Sequence, residues 1–216
     1  MISLRFLLLS SIFYLVLSLS AGRWDVWSFV AWPGVVWLAG TLTYGWLERV
    51  NPALVQERMH PPNDRDRATR RLTLLPLLGV LVTAGLDVRF GWSQLPLGLV
   101  VASLVLFALS FALVAWVLAV NSFASSAVRV QTERGHAVIS HGPYAWVRHP
   151  MYLATLLACI SSGPALGSWF AGLLTLPIVA LFIRRTRVED RMLFAELSGY
   201  AEYAARVRWR VVPYVF

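Results

Sequence analysis

The amino-acid sequence predicts an all-α, polytopic integral membrane protein with about six membrane segments. Of its 216 residues, 58% are hydrophobic and only 14% are charged, and ten are Trp. Apolar runs of about 20 residues, the length that crosses the hydrocarbon core of a bilayer, recur along the chain. These observations exclude a soluble domain and make the lipid bilayer an expected partner.

The distribution of charge predicts the orientation in the membrane. The net charge is +8, and all nineteen basic residues are Arg. Arg23 and Arg89 fall on one side of the predicted spans, and the other seventeen fall on the opposite side. The positive-inside rule then places both termini and the active site at the cytoplasmic face. Because no basic stripe interleaved with aromatic residues lies outside the membrane-flanking loops, we expect no nucleic-acid partner.

The N-terminal region, residues 1–120, is predicted to contribute four spans. Small residues at 18–21 would suit a signal-peptide cleavage site, but the first run has the length of a full span, which favours its retention. These spans hold no chain of ionisable residues, which argues against a proton-coupled transporter or an ion pathway. The predicted spans are 4–21, 26–47, 72–90 and 95–120.

Two further stretches have predicted local structures. The polar loop 48–71 is expected to contain a short interfacial helix over 51–58, followed by a solvated turn over 61–67. Residues 151–183 are too long for one span and are interrupted by Ser-Ser-Gly-Pro at 161–164, so they predict a helical hairpin. The tail is expected to be helical to about Ser198 and then to turn at 200–203.

The second region, residues 121–216, is predicted to hold the functional site, beginning with the polar stretch 131–152. Pro150 has the place of the first residue of a helix, where its missing N–H costs nothing. Arg148 and His149 then lie at the mouth of this helix, where free N–H groups and the helix dipole favour an anionic group.

Two side-chain pairs are expected to converge at this place. His149 and Tyr152 are three residues apart and share one face of their helix, and Arg185 and Glu189 share a face of the next helix. Each pair alone has a plainer interpretation, as an interfacial helix start or as a solvated ion pair. Because the two clusters flank a single hairpin, we favour a shared pocket.

Several kinds of site are not predicted. The sequence has no GxSxG, Walker, HExxH or strand-linked GxGxxG motif. Its four histidines, His60, His136, His141 and His149, have no acidic companion at a fixed ligand spacing, so we predict no metal site. Cys159 is the single cysteine and lies in an apolar run, which suits packing.

A set of motifs resembles the isoprenylcysteine carboxyl methyltransferase family. The resemblance covers the C-terminal half well, and Asp190 stands where a second Glu is more usual. Its most specific part is Arg-His-Pro-x-Tyr followed, after a hairpin, by an acidic pair. The matching positions are Asn121–Phe123, Gln131, His136–Ile139, Gly142–Tyr144, Arg148–Tyr152, Arg185, Glu189–Asp190, Gly199–Tyr203, Arg206–Val207 and Pro213.

The resemblance implies an integral membrane O-methyltransferase that uses S-adenosylmethionine to methylate the carboxylate of a prenylated C-terminal cysteine. It implies that Arg185 meets the acceptor, and we count Arg185, Arg148 and His149 as catalytic candidates. Which arginine meets the acceptor and which the cofactor stays open. The positions that it implies for cofactor binding are Gln131, His136, Ala137, Val138, Ile139, Tyr144, His149, Pro150, Met151, Tyr152 and Glu189.

The chemistry agrees with this set of residues. A sulfonium already activates the methyl group, so the protein needs to align donor and acceptor and to exclude water. A carboxylate acceptor needs no general base, but it needs a cation in a low-dielectric site, the role expected of Arg185. The alternatives are a phospholipid or other small-acceptor methyltransferase, an NADPH-dependent membrane reductase and a non-enzymatic scaffold.

Overall fold

The computed structural model describes residues 2–61 and 64–216, and Pro62 and Asn63 of the predicted turn lie outside these residues. The predicted all-α class is confirmed, because the described residues form helices and no strands. Two short 3-10 turns, Thr132–Arg134 and Gly142–Ala145, interrupt the long polar loop. The α-helices are α1 (Ile2–Ala21), α2 (Trp27–Val50), α3 (Pro52–Met59), α4 (Arg67–Leu72), α5 (Leu74–Phe90), α6 (Leu97–Val120), α7 (Pro150–Ala165), α8 (Trp169–Leu173), α9 (Leu176–Glu196) and α10 (Tyr200–Arg206).

Four helical stretches of the described chain are long and apolar enough to cross a membrane. The other two predicted segments are α2, whose Trp, Gly and Pro residues lower its mean hydropathy, and α7. With 16 residues, α7 rises about 24 Å, less than the roughly 30 Å of the hydrocarbon core. The four stretches are Ile2–Ala21, Arg67–Phe90, Leu97–Val120 and Trp169–Glu196.

The largest hydrophobic cluster joins α1, α2, α5, α6 and the hairpin. At its centre the rings of Trp32 and Phe107 stack with their centroids 4.8 Å apart. Gly85 lets α5 approach α1 closely, because a Cβ there would lie 2.6 Å from the backbone oxygen of Leu17. These helices pack into an apolar bundle, and the polar residues lie at one end of it.

The hairpin is present, but its predicted break at 161–164 is wrong. Helix α7 continues through these residues to Ala165, and the chain turns at 166–168. Pro164 stands one residue before the helix end, where it cannot donate to the carbonyl four residues earlier and so disfavours further helix. Gly167 adopts the left-handed conformation, with φ 82°, and this residue makes the turn.

The structure separates the chain into two ends. Arg58 of α3 donates to the carbonyl of Ala124 at 2.7 Å, and Arg65 pairs with Glu196, so α3, the loop after α6 and the end of α9 lie together. We call this the site end. At the opposite end, the carboxylate of Asp87 accepts from the Ser93 amide at 2.6 Å and from the hydroxyl of Ser168. The division into 1–120 and 121–216 stays a prediction.

The tail differs from its prediction. Helix α9 ends at Glu196, and residues 200–203 begin a helix, α10, where the sequence predicted a turn. Gly199 takes a left-handed conformation, φ 79°, which reverses the chain and allows a new helix to start. Tyr203 is 2% exposed and packs in a second cluster with Leu193 and Val128.

Candidate active site

Pro150 is the first residue of α7 and His149 is its N-cap, as the sequence predicted. The amide of Arg148 donates to the carbonyl of Trp209 at 2.9 Å, and that of His149 donates to the carbonyl of Arg210 at 2.7 Å. The C-terminal tail therefore fixes the backbone at the mouth of α7.

A pocket at the site end has an empty volume of about 740 Å³. The wall combines aromatic, aliphatic and charged side chains from the polar loop, α7, α9 and α10. The lining residues are Phe123, Ala124, Ser125, Ala127, Arg129, His136, Ala137, Val138, Ile139, Tyr144, Arg148, His149, Met151, Tyr152, Glu189, Leu193, Leu197, Tyr200 and Tyr203.

Most of the predicted site residues line this pocket. Three do not: Gln131, Pro150 and Arg185, which are all buried behind the wall. Those that line it are His136, Ala137, Val138, Ile139, Tyr144, Arg148, His149, Met151, Tyr152 and Glu189.

The two expected side-chain pairs do meet. The hydroxyl of Tyr152 donates to the carboxylate of Glu189 and accepts a hydrogen bond from Nε of Arg185 at 3.0 Å. The other guanidinium nitrogens of Arg185 donate to the carbonyls of Ser126 at 2.8 Å and Asp66 at 3.3 Å. Arg185 therefore stands behind Tyr152 with its donors directed at protein acceptors.

Asp190 anchors the other side of the pocket. Its Oδ1 lies 3.1 Å from Nε2 of His149 and accepts from the hydroxyl of Tyr200 at 2.8 Å. Its Oδ2 accepts from Arg148 at 3.0 Å and from Nε of Arg210 at 2.8 Å. One buried carboxylate thus joins α7, α9, α10 and the tail.

Arg148 retains one hydrogen-bonding group for a ligand. Its side chain is 6% exposed and lines the pocket, and NH2 pairs with Asp190. Nε–H is buried without a hydrogen-bond partner in the part of the chain that the structure describes. An unpaired buried donor is costly, so an acceptor atom of a bound ligand would stabilise this position.

The polar loop forms a stacked aromatic wall. The rings of Phe123 and His136 stack with their centroids 4.7 Å apart, and the guanidinium of Arg134 lies over Phe123. Gln131 supports this wall from behind, because its side chain donates to the Phe123 carbonyl at 2.8 Å and its amide to Nδ1 of His136 at 3.3 Å. Burial, with the charges of Arg134 and Arg129, lowers the pKa of His136 to about 4. His136 is therefore neutral at physiological pH.

A buried ion pair couples the pocket to the N-terminal half of the chain. Arg129, a lining residue, donates to both carboxylate oxygens of Glu57 on α3, at 2.9 and 3.0 Å. The hydroxyl of Ser125 also donates to Glu57, at 2.8 Å. The hydrogen bond from Arg129 is the main cause that lowers the pKa of Glu57.

Tyr144 presents its hydroxyl at the pocket wall. The side chain of Asn121 donates to this oxygen at 2.7 Å, and Tyr203 donates to the Tyr144 carbonyl at 2.8 Å. Burial raises the pKa of Tyr144 well above its ordinary value. The hydroxyl therefore keeps its proton and can donate to a ligand.

Sequence reasoning missed part of the wall. Arg129 and the apolar pair Leu193 and Leu197 belong to no recognised motif, so nothing in the sequence singled them out. Phe123, Tyr200 and Tyr203 lie within the motifs that resemble the family, so the resemblance could have identified them as pocket residues. Among the described residues there is no group of three or more His, Cys, Asp and Glu that could hold a metal ion.

The fold and the pocket define a polytopic helical membrane protein with a partly enclosed polar site at one end of the bundle. Residues 100–195 match the model of the isoprenylcysteine carboxyl methyltransferase family. The matched segment covers α7, α8, most of α6 and α9 and most of the pocket wall, so the resemblance predicted from the sequence is confirmed over these residues.

One curated protein is also similar to this chain. The cobalt-zinc-cadmium resistance protein CzcN of Cupriavidus metallidurans is 30% identical over 81 residues. These residues are 37% of this chain and 38% of that protein. The similarity therefore covers less than two fifths of either chain.

Proposed function

We propose that this protein is a membrane methyltransferase that uses S-adenosylmethionine to methylate the carboxylate of a lipophilic acceptor of the S-isoprenylcysteine type, at the cytoplasmic face. The observation that carries the proposal is the pocket itself. Nine of the eleven positions implied for the cofactor, all but Gln131 and Pro150, line one cavity inside the segment that matches the family.

The lining residues fit the parts of S-adenosylmethionine. Glu189 supplies a carboxylate that accepts hydrogen bonds from ribose hydroxyls, and Phe123 and His136 supply a stacked wall for a flat ring. Nε–H of Arg148 supplies a donor for a carboxylate, whereas the amides of Arg148 and His149 at the mouth of α7 already donate to carbonyls of the tail. When bound, the cofactor supplies a methyl group already activated by a sulfonium.

The residues of this chain then have four tasks: to bind, to orient, to exclude water and to neutralise the acceptor charge. No proton leaves a carboxylate acceptor when it is methylated, so Tyr152 and His149 need not act as bases. Tyr152 and Asp190 instead hold Glu189 and His149 in place. A cation must accompany the acceptor into the shielded site, and the two candidates are Arg148, which lines the pocket, and Arg185, which stands behind Tyr152.

Calorimetric titration of the purified, detergent-solubilised protein with S-adenosylmethionine tests the donor. His149→Ala and Glu189→Ala should each abolish detectable binding, while Glu202→Ala, at an exposed position on α10, should bind as the wild type does. Unchanged affinity in both pocket variants would reject the cofactor assignment. Thermal unfolding of each variant checks that it is folded.

Transfer of a radiolabelled methyl group tests the acceptor. The three arms are an N-acetylated S-prenylcysteine, vesicles of phosphatidylethanolamine, and no acceptor. Labelling of a base-labile methyl ester in the first arm alone supports the proposal. Stable N-methylation of the phospholipid would instead support a phospholipid methyltransferase, and oxidation of added NADPH would support a reductase.

A further inference from the structure

A second cavity lies away from the pocket, between α5 and α9. It is a groove with an empty volume of about 1480 Å³. Its lining shares no residue with the pocket and is apolar except at one end. The lining residues are Leu72, Leu75, Pro76, Leu78, Gly79, Val82, Leu174, Pro177, Ala180, Leu181 and Arg184.

Small and cyclic residues keep this groove open. A Cβ built on Gly79 would meet only one atom within 4 Å, Cδ1 of Leu174 at 3.6 Å. Ala180 lies opposite on α9 and is exposed. Leu75 is 77% exposed on the rim. Leucine side chains therefore line the sides of the groove between the two helices, and small side chains line its base.

The depth of the groove matches one leaflet of a membrane. Its lining runs from Leu72, the last residue of α4, to Val82 on α5, ten residues further on, so the wall rises about 15 Å at 1.5 Å per residue. The hydrocarbon core of a bilayer is roughly 30 Å thick, and one leaflet is half of it. The groove thus begins at the site end and has about the depth of one leaflet.

Arg184 closes the groove at the site end. Its side chain is 56% exposed, and NH1 donates to Oδ1 of Asp66 at 2.9 Å and to the hydroxyl of Thr69 at 2.8 Å. Both bonds use one nitrogen, and a guanidinium carries five N–H donors in all. Among the contacts of the described residues, donors therefore remain on Arg184 for an anion at the level of the lipid headgroups.

The surroundings of Arg184 favour such an anion. The segment 64–72 carries four arginines against two aspartates, and even with Glu196 paired to Arg65 an excess of positive charge remains beside Arg184. An anionic headgroup is attracted to a cluster of this kind, whereas a zwitterionic headgroup gains less.

We propose that the groove between α5 and α9 binds an anionic phospholipid of the leaflet at the site end. One acyl chain lies along Gly79 and Ala180, and the phosphate accepts charge-assisted hydrogen bonds from Arg184. This lipid site is separate from the methyl-transfer pocket and does not depend on the function proposed for it.

Native mass spectrometry of the detergent-solubilised protein tests the site. The protein is incubated with phosphatidylglycerol or phosphatidylcholine of the same acyl chains, and the lipid retained per protein is counted. The wild type should retain phosphatidylglycerol preferentially. Arg184→Gln should weaken this preference about tenfold or more, the cost expected of a lost bond to a charged group.

Two further variants separate the contribution of the Arg184 charge from that of the apolar groove that holds the acyl chain. Arg191→Gln removes another exposed arginine of α9, whose Nε donates to the Arg187 carbonyl, and should leave the preference unchanged. Ala180→Trp fills the groove but keeps Arg184, and should reduce retention of both lipids. Equal retention of the two lipids by the wild type, or an unchanged preference in Arg184→Gln, would overturn the proposal.

Discussion

Asp190 Oδ1 lies 3.1 Å from His149 Nε2, with neither side chain more than 4% exposed. The same carboxylate pairs with Arg148 and with Arg210 of the tail. Asp190 therefore fixes two pocket residues and the tail at the same time. Because the carboxylate is buried, its charge and its geometry both matter to the site.

Asp190→Asn should destabilise the protein and weaken cofactor binding. The substitution keeps the shape but leaves the charge of Arg148 without its buried partner, a change that costs about 3–5 kcal/mol. Chemical denaturation measures the stability, and calorimetry measures the binding. Glu202→Gln, at an exposed position, is the control and should change neither. Wild-type stability in Asp190→Asn would contradict this role.

Glu57 and Arg129 should act as one unit on the pocket. Glu57→Gln and Arg129→Ala each break the pair that holds the loop 124–129 to α3, so each should raise the dissociation constant of the cofactor. The double variant should be little worse than either single variant, because both remove the same interaction. A double-mutant cycle by calorimetry measures the coupling, and additive effects would show that the two side chains act independently.

The same ion pair predicts a pH dependence. The pKa of Glu57 is lowered in the folded state, so its contribution to stability is present above the ordinary carboxyl pKa of about 4.5. It is lost as pH falls through the lowered value. Thermal unfolding from pH 7 to pH 3 should show a smaller acid-induced loss of stability in Glu57→Gln than in the wild type. Parallel curves for the two proteins would contradict the prediction.

His136 should remain neutral in the folded protein down to a pH of about 4. An unfolded chain binds this proton near pH 6.5, so folding loses stability as pH falls from about 6.5 towards 4. His136→Gln should remove that part of the pH dependence in thermal unfolding. His141→Gln, at an exposed histidine, is the matched control and should follow the wild type.

Arg185→Ala should cut turnover by roughly a hundredfold or more if this arginine neutralises an anionic acceptor, because loss of one partner of a desolvated pair costs about 3–5 kcal/mol. Arg185→Lys should recover only part of the activity. Tyr152→Phe is the informative comparison, because it removes the hydroxyl that Arg185 contacts at 3.0 Å. If Tyr152→Phe loses as much turnover as Arg185→Ala, the arginine acts only by positioning Tyr152. Full activity in Arg185→Ala would exclude this arginine as the cation that neutralises the acceptor and would leave Arg148 in that role.

Asymmetric thiol labelling should report the orientation in the membrane. A cysteine at Ala205, exposed at the site end, should be protected from an impermeant reagent in intact cells. A cysteine at Trp24, which is 54% exposed and lies near the opposite end, should be labelled. The native Cys159 is buried. Labelling at Ala205 and protection at Trp24 would reverse the predicted topology.

The start of α7 shows what the sequence by itself determined. Pro150 selects the first helical position, and the three-residue spacing of His149 and Tyr152 places their rings in a stack, 5.7 Å apart. Helix starts, apolar spans and the clustering of Arg at one end depend on neighbouring residues and on water, so they can be inferred from a single sequence. The hairpin turn shows the limit, because Gly167 makes the turn where the sequence favoured 161–164.

Only the tertiary structure decided which partners the buried charges have. Arg129 pairs with Glu57, 72 residues earlier, and Arg210 reaches Asp190 from the tail. The tertiary structure also decided that Arg185 lies behind Tyr152 and that Arg148 lines the pocket. A buried charge must find an opposite charge wherever packing brings one within reach. That choice depends on how whole helices pack, which no local pattern of residues specifies.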